Sequence, residues 1–179
     1  MCTEFIFRTL RQDELDMDLF AGFNRYQDVK RCWRKEEGRW ILKDIAFVEE
    51  WGEEDYRQLT EQLRGTHGAG GYVFGAFEHG RLVGFASVES ERFGTKKQYV
   101  QLGEIYTSYE YRGFGIGKKL FELAKEAGKK LGASKLYISA HSSEESQKFY
   151  QKMGCVEARE YNRKLVEKEP CDCQLECRV

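Results

Sequence analysis

The chain has 179 residues, 41% of them apolar and 14% aromatic, which suits one domain with a sizeable core and excludes a disordered chain. Its formal net charge of −1 implies no general polyanion-binding surface, so nucleic acid is not an expected partner. No apolar run approaches the roughly 20 residues of a membrane span, and the N-terminus carries Glu4 and no long apolar region, which argues against a signal peptide and for a cytoplasmic location.

In chain order, Glu4 to Arg8 reads as a first strand. Gln12 to Phe23 has helical spacing, with Leu15, Leu19, Phe20 and Phe23 on one stripe. Residues 29–45 alternate on both sides of Glu36-Glu37-Gly38 and read as a β-hairpin, although 26–37 could also be helical. An acidic connector leads into a helix from about Glu53 to Arg64, ended by the glycine-rich run 65–71. Tyr72–Phe77 and Arg81–Glu89 form a hairpin, and Gln98–Thr107 is the next strand. A helix over 115–131, a strand over Lys135–Ala140, a helix over 143–153, a strand from Cys155 to Tyr161 and a strand from Asp172 to Arg178 complete the chain. Pro170 stands before the last strand, where it is tolerated. Nothing divides the chain, so residues 1–179 are expected to form one α/β domain with a mixed sheet.

The six cysteines contain no Cys-x-x-Cys pair. Cys171, Cys173 and Cys177 would share one face of a strand, as small apolar residues. No metal is expected, and without an export signal no disulfide.

Everything is organised around Gln101 to Ala124, where a strand runs into three glycines and then an amphipathic helix. Glycines at 113, 115 and 117 let a ligand approach the backbone, and the free N–H groups of a helix N-terminus favour phosphate. The Walker pattern fails, because Lys119 follows Gly117-Lys118 and Gly113 lies one position too late. The dinucleotide fingerprint fails as well, because Lys118 stands where its last glycine belongs. Tyr111-Arg112-Gly113-Phe114-Gly115-Ile116-Gly117 instead resembles the acetyl-CoA pyrophosphate loop, [Gln/Arg]-x-x-Gly-x-[Gly/Ala], of the GNAT superfamily of N-acetyltransferases. Ser143 to Cys155 resembles that family's second signature, Asn-x-x-Ala-x-x-x-Tyr-x-x-x-Gly-Phe, with Ser143 in place of Asn and Ser146 in place of Ala. The resemblance covers about residues 71–160 well; the hairpin at 29–45 reads as an addition.

The resemblance implies a GNAT-like, mostly antiparallel sheet flanked by helices, and acetyl-CoA as co-substrate. Ile105, Tyr106 and Thr107 would pair with the pantetheine arm beside a β-bulge. Arg112, Gly113, Phe114, Gly115, Ile116, Gly117 and Lys118 would hold the pyrophosphate, with Ser143 and Ser146 nearby. Lys118 could equally be a solvated lysine. Tyr150 falls where the family often places the acid that protonates the departing thiolate, and a phenol of pKa about 10 suits that role; it could also be a core aromatic. Glu104, an acid in an apolar strand, faces either solvent or a site. It is the candidate base, although the family often carries the base earlier, near Tyr99; Glu89, Glu91 and His141 are alternatives. Trp33, Trp40, Trp51, Glu49, Glu50, Glu53 and Asp172 could line an aromatic and acidic wall for a cationic amine, or the tryptophans could simply pack the hairpin down. The C-terminal segment is faintly similar to bacterial streptothricin-type acetyltransferases.

The expectation is transfer of acetyl to a primary amine of a small molecule by direct attack in a ternary complex. A protein or peptide N-acetyltransferase and a non-catalytic acyl-CoA sensor are the alternatives. An exposed sheet edge or the C-terminal strand could pair in a homodimer.

Overall fold

The computed structural model describes residues 3–179; Cys2 lies outside them. Seven strands form one sheet in the order β1-β4-β5-β6-β7-β9-β8: β1 (Ile6–Thr9), β4 (Tyr72–Glu78), β5 (Arg81–Val88), β6 (Tyr99–Thr107), β7 (Lys135–Ala140), β8 (Val156–Glu157) and β9 (Cys173–Arg178). A separate two-stranded hairpin, β2 (Tyr26–Glu36) and β3 (Arg39–Glu50), packs beside it. The helices are α1 (Glu53–Gly68), α2 (Ile116–Lys130), α3 (Glu144–Lys152) and α4 (Arg163–Lys168). All pairings in the sheet are antiparallel except β6 with β7.

Helix α2 carries Ile116, Leu120, Phe121, Ala124 and Ala127 on one buried stripe at i, i+4, i+5, i+8 and i+11, the spacing that turns one helical face onto a sheet. That stripe meets Val83, Ala86, Val100, Leu102, Leu136 and Ile138 in the larger core. Each large side chain buried there contributes about 1.5–3 kcal/mol. Gly84 lets α2 approach β5: a Cβ there would lie 2.7 Å from Ile116 Cγ2 and 3.1 Å from Leu120 Cδ1. The opposite face of the sheet packs Phe85 and Val73 against Leu59 and Leu63 of α1 and against Leu15, Phe20 and Phe23.

Three expectations change. Residues 12–23 are not an α-helix but two short 3-10 turns, 12–14 and 17–20. The carboxylate of Asp16 accepts from the Leu19 N–H and starts a new turn in mid-segment, the competition with the helix that short polar side chains offer. The predicted stripe is still largely buried, because Leu15, Phe20 and Phe23 reach the core from the turns. The expected strand from Cys155 to Tyr161 is only two residues long, and Asn162, which accepts from the Leu165 N–H, caps the unexpected helix α4. Finally, β9 is no sheet edge, since it lies between β7 and β8 and leaves β1 and β8 at the margins. Cys173 and Cys177 are buried on it as apolar residues, while Cys171 is exposed. The described cysteines are free, and no group of His, Cys, Asp or Glu among the described residues is arranged to hold a metal. No described helix is long and apolar enough to cross a membrane.

Candidate active site

The site opens where the sheet parts. β6 pairs with β7 only through Tyr99, Val100 and Gln101. On its other side, Ser87 faces Glu104 and Val88 faces Leu102, so Gly103 is an extra residue in β6, a β-bulge. A Cβ on Gly103 would lie 2.9 Å from Ser87 Oγ and 3.1 Å from Glu89 Oε1, so the bulge has no room for one. Beyond Gln101, β6 and β7 share no further pairs, and a cleft of about 500 Å³ opens between them. Ile105, Tyr106 and Thr107 line one wall, Ile138, Ser139 and His141 another, and Phe149 and Tyr150 of α3 face them.

The cleft runs to the glycine loop. Gly113 and Gly115 have φ of 85° and 81°, a left-handed backbone that favours glycine, and a Cβ on either would meet nothing within 4 Å. The cradle is therefore open. Gly115 begins α2 and no side chain caps it, so the first N–H groups of the helix are left for an anion. Gly117 faces Phe149, 3.1 Å from where its Cβ would be. Arg112, Gly113, Gly115, Ile116, Gly117, Lys118 and Ser146 all line the cleft. Phe114 does not. It is 60% exposed and packs edge-on against Phe5. Ser143 is buried, and its hydroxyl accepts from the Ser146 N–H at 3.2 Å, capping α3. The Gln147 amide donates to His141 O at 2.8 Å.

Tyr150 is buried beside Phe149 and Phe121. Burial, then the neighbouring Cys155, then Glu104, raise its phenol further above the ordinary value, so it stays protonated. Glu104 stands on the α1 face of β6, outside the cleft lining, where Gln62 Nε2 donates to its Oε1 at 2.9 Å. Burial pushes Glu104 up from 4.5 to about 7, against the opposing effect of the Gln62 hydrogen bond and of Lys168. Tyr150 thus lies in the cleft wall and Glu104 on the α1 side of the adjoining strand β6, near enough for its charge to raise the Tyr150 phenol.

The acceptor-side wall differs from expectation. Trp51 packs on Tyr106 at 4.9 Å and on Tyr56 at 5.7 Å. Trp33 and Trp40 instead pack, partly buried, against the larger core, as the alternative reading of the hairpin tryptophans has it. Glu49 accepts from Arg25 and is 3.1 Å from His141 Nε2; the His141 hydrogen bond chiefly lowers its pKa. Glu53 pairs with Arg57 at the surface, and Glu50 is exposed. Asp172 accepts from Ser139 Oγ at 2.9 Å, and burial raises its pKa. Of the alternative bases, Glu89 is bound by Thr66 Oγ1 at 2.6 Å, and Glu91 lines a separate groove with Tyr161 and Asn162. Arg25 and Gln27 of the cleft wall had no signal in the sequence, being two polar residues just ahead of the segment 29–45 that read as a hairpin.

The sequence matches the Acetyltransferase (GNAT) family over residues 33–155. The chain belongs to the GNAT family of acetyltransferases. Sequence comparison with curated proteins finds no match. Among solved structures, nourseothricin acetyltransferase is similar at 16% identity and a TM-score of 0.67, with 97% of this chain and 96% of that chain covered. A protein described as a streptothricin acetyltransferase from Bacillus anthracis str. Ames, solved with acetyl coenzyme A, gives 16% and 0.71 over 98% and 99%. The PaiA N-acetyltransferase of Thermoplasma acidophilum, solved with coenzyme A, gives 17% and 0.60 over 98% and 99%. As a GNAT protein this chain is an acetyl-CoA-dependent acyltransferase, and its open glycine cradle and parted strands fit that co-substrate.

Proposed function

We propose that this GNAT enzyme transfers acetyl from acetyl-CoA to a primary amine of a small molecule, by direct attack within a ternary complex. The observation that carries the reading is the open glycine cradle running into the cleft between β6 and β7, with Tyr150 in the cleft wall and Glu104 on the adjoining face of β6, its carboxyl raised by burial to about 7.

Acetyl-CoA supplies an acetyl thioester whose carbonyl carbon an amine can attack. The glycine loop and α2 N–H groups orient the pyrophosphate. The edge of β6 from Ile105 to Thr107 offers backbone groups to the pantetheine amides. Glu104 takes the proton from the ammonium, directly or through water, and a pKa near 7 is well matched to that task. Tyr150 gives its proton to the sulfur as the C–S bond breaks. A carboxylate beside Arg25 and His141, as Glu49 is, remains ionised and suits attraction of a cation; Trp51 and Tyr106 add aromatic faces.

The test is a thermal shift with acetyl-CoA together with thiol release against streptothricin-type lysyl amides, polyamines, aminoglycosides, amino acids and N-terminal peptides. Stabilisation with turnover on one small-molecule class is the expected result. Turnover on peptides alone would make it a protein acetyltransferase, and stabilisation with no turnover on any amine would make it an acyl-CoA sensor.

A further inference from the structure

We propose that Arg25, Gln27 and Glu49 are positioning residues: with Ser143 and His141 they close a ring of hydrogen bonds that fixes the start of α3, and through it Tyr150, against the β2–β3 hairpin. The kinetic part of this inference rests on the function proposed above; the structural part does not.

The ring can be followed bond by bond. Arg25 Nη2 donates to Gln27 Oε1 at 3.1 Å and to Glu49 Oε2 at 3.0 Å. Gln27 Nε2 donates to Ser143 Oγ at 2.9 Å. The Ser143 backbone N–H donates to His141 Nδ1 at 3.1 Å, and His141 Nε2 lies 3.1 Å from the other oxygen of Glu49. A backbone N–H can only donate, so His141 Nδ1 accepts and its ring hydrogen sits on Nε2, directed at Glu49. The carboxylate completes the circuit by accepting from both sides.

Three members are deeply buried: Arg25 is 4%, Gln27 7% and Ser143 2% exposed. Burying a guanidinium is expensive unless it is paired. Only Nη2 is paired here, because Nε and Nη1 have no hydrogen-bond partner. They are covered instead by aromatic rings, with the guanidinium carbon 4.7 Å from the Tyr106 centroid and 5.4 Å from that of Trp51. Arg25 is thus held on one side by the acceptor-wall aromatics and on the other by the ring. Further ties run in parallel: the Trp33 N–H to Ser142 O at 2.8 Å, and both Arg31 donors to Glu144 at 2.9 Å. The hairpin therefore grips the first residues of the helix that carries Tyr150. Misplacement of a reacting group by about 1 Å can lower a rate about a hundredfold. The ring accordingly has a role in the chemistry, although Gln27 itself carries no charge and transfers no proton.

The test compares Gln27→Leu with Gln27→Glu in the full-length protein. Leu removes both bonds made by Gln27. Glu keeps both contacts, accepting from Arg25 with one oxygen and, with the second bond reversed, from the Ser143 hydroxyl with the other, once that hydroxyl turns from Ser146 Oγ. Rates are read by thiol release with nourseothricin and with spermidine, acetyl-CoA affinity by calorimetry, and the His141 ring by long-range proton–nitrogen NMR, with His141→Gln identifying its signals. Expected are a single Nε2–H tautomer in the native protein, and in Gln27→Leu a mixed tautomer, a kcat lowered about ten- to a hundredfold and an acetyl-CoA Kd within about twofold of native. Gln27→Glu is expected to restore the tautomer and most of the rate. A mixed tautomer in the native protein, or a native-like imidazole spectrum in Gln27→Leu, overturns the proposal whether or not either amine is turned over. So does a rate loss matched by weakened acetyl-CoA binding, or a Glu variant as impaired as Leu.

Discussion

Replacing Glu104 with Gln tests the proton acceptor and makes two predictions of opposite sign. The side chains have nearly the same shape, and Gln Oε1 can still accept from Gln62, which now bonds Glu104 at 2.9 Å. Burial lifts the Glu104 carboxyl from 4.5 to about 7. Between those values the folded protein holds a proton that the unfolded chain has lost, so stability falls as pH rises through this window. At about 1.4 kcal/mol per unit, the ionised carboxylate lowers stability at pH 8 by on the order of 3 kcal/mol. Gln carries no such penalty. Glu104→Gln should therefore raise the melting temperature by several degrees at pH 8 and leave it nearly unchanged at pH 5. Activity should move the other way. Native kcat/KM should rise with pH and level off above about 7, and at pH 6 only about a tenth of the enzyme is in the active form. The variant should lose about 10²–10⁴ in kcat/KM together with that limb of the profile. Stopped thiol-release assays from pH 5.5 to 9 and calorimetric melts at pH 5 and 8 give both readings. A variant with native kcat/KM and an unchanged acid limb would remove Glu104 from the chemistry, and a melting temperature unchanged at pH 8 would show that its burial carries no charge penalty.

Tyr150→Phe should lower kcat about ten- to a thousandfold with little change in acetyl-CoA affinity by calorimetry, because it removes only the hydroxyl. Gly115→Ala places a side chain on a backbone with φ of 81°, at an expected strain of about 1–2 kcal/mol, and should weaken acetyl-CoA binding in titration calorimetry more than it lowers the melting temperature. Gly84→Ala should do the reverse: its Cβ would stand 2.7 Å from Ile116 Cγ2, and pushing α2 off the sheet should destabilise by about 1–3 kcal/mol in urea unfolding.

The central strands and α2 were legible because they carry one clear period each and are bounded by glycines; Ile116, Leu120 and Phe121 fall where a 3.6-residue repeat requires. The segment 12–23 had a convincing apolar stripe but also Asp16, whose capping bond broke the helix, a local contest that periodicity does not weigh. The glycine loop could be read since backbone approach depends on residue type alone. Burial of Glu104 was half legible. An acid amid apolar strand residues signals a site, but its environment comes from Gln62, 42 positions away in the chain. Arg25 and Gln27 were not legible at all, because their partners Glu49 and Ser143 lie 24 and 116 positions distant and no local pattern records such meetings. Trp33 and Trp40 follow the other reading the sequence left open: partly buried, they pack against the larger core and do not line the cleft.

The parting of the sheet also has a mechanical side. Four strands on one flank and three on the other meet along only three residue pairs. Apart from the marginal β8–β9 pairing, the seam has the fewest rungs in the sheet. An acyl-CoA arm lying in the gap would bridge the two half-sheets as an extra strand bridges its neighbours, supplying the missing rungs. Affinity for the co-substrate and resistance to unfolding are then linked: whatever the arm gains by binding, the folded state gains too. Those amide protons of β6 beyond Gln101 and of β7 beyond Tyr137 that face the gap, rather than β5 or β9, should exchange quickly in the free enzyme and slow together on loading, while those of β4 and β5 stay protected throughout.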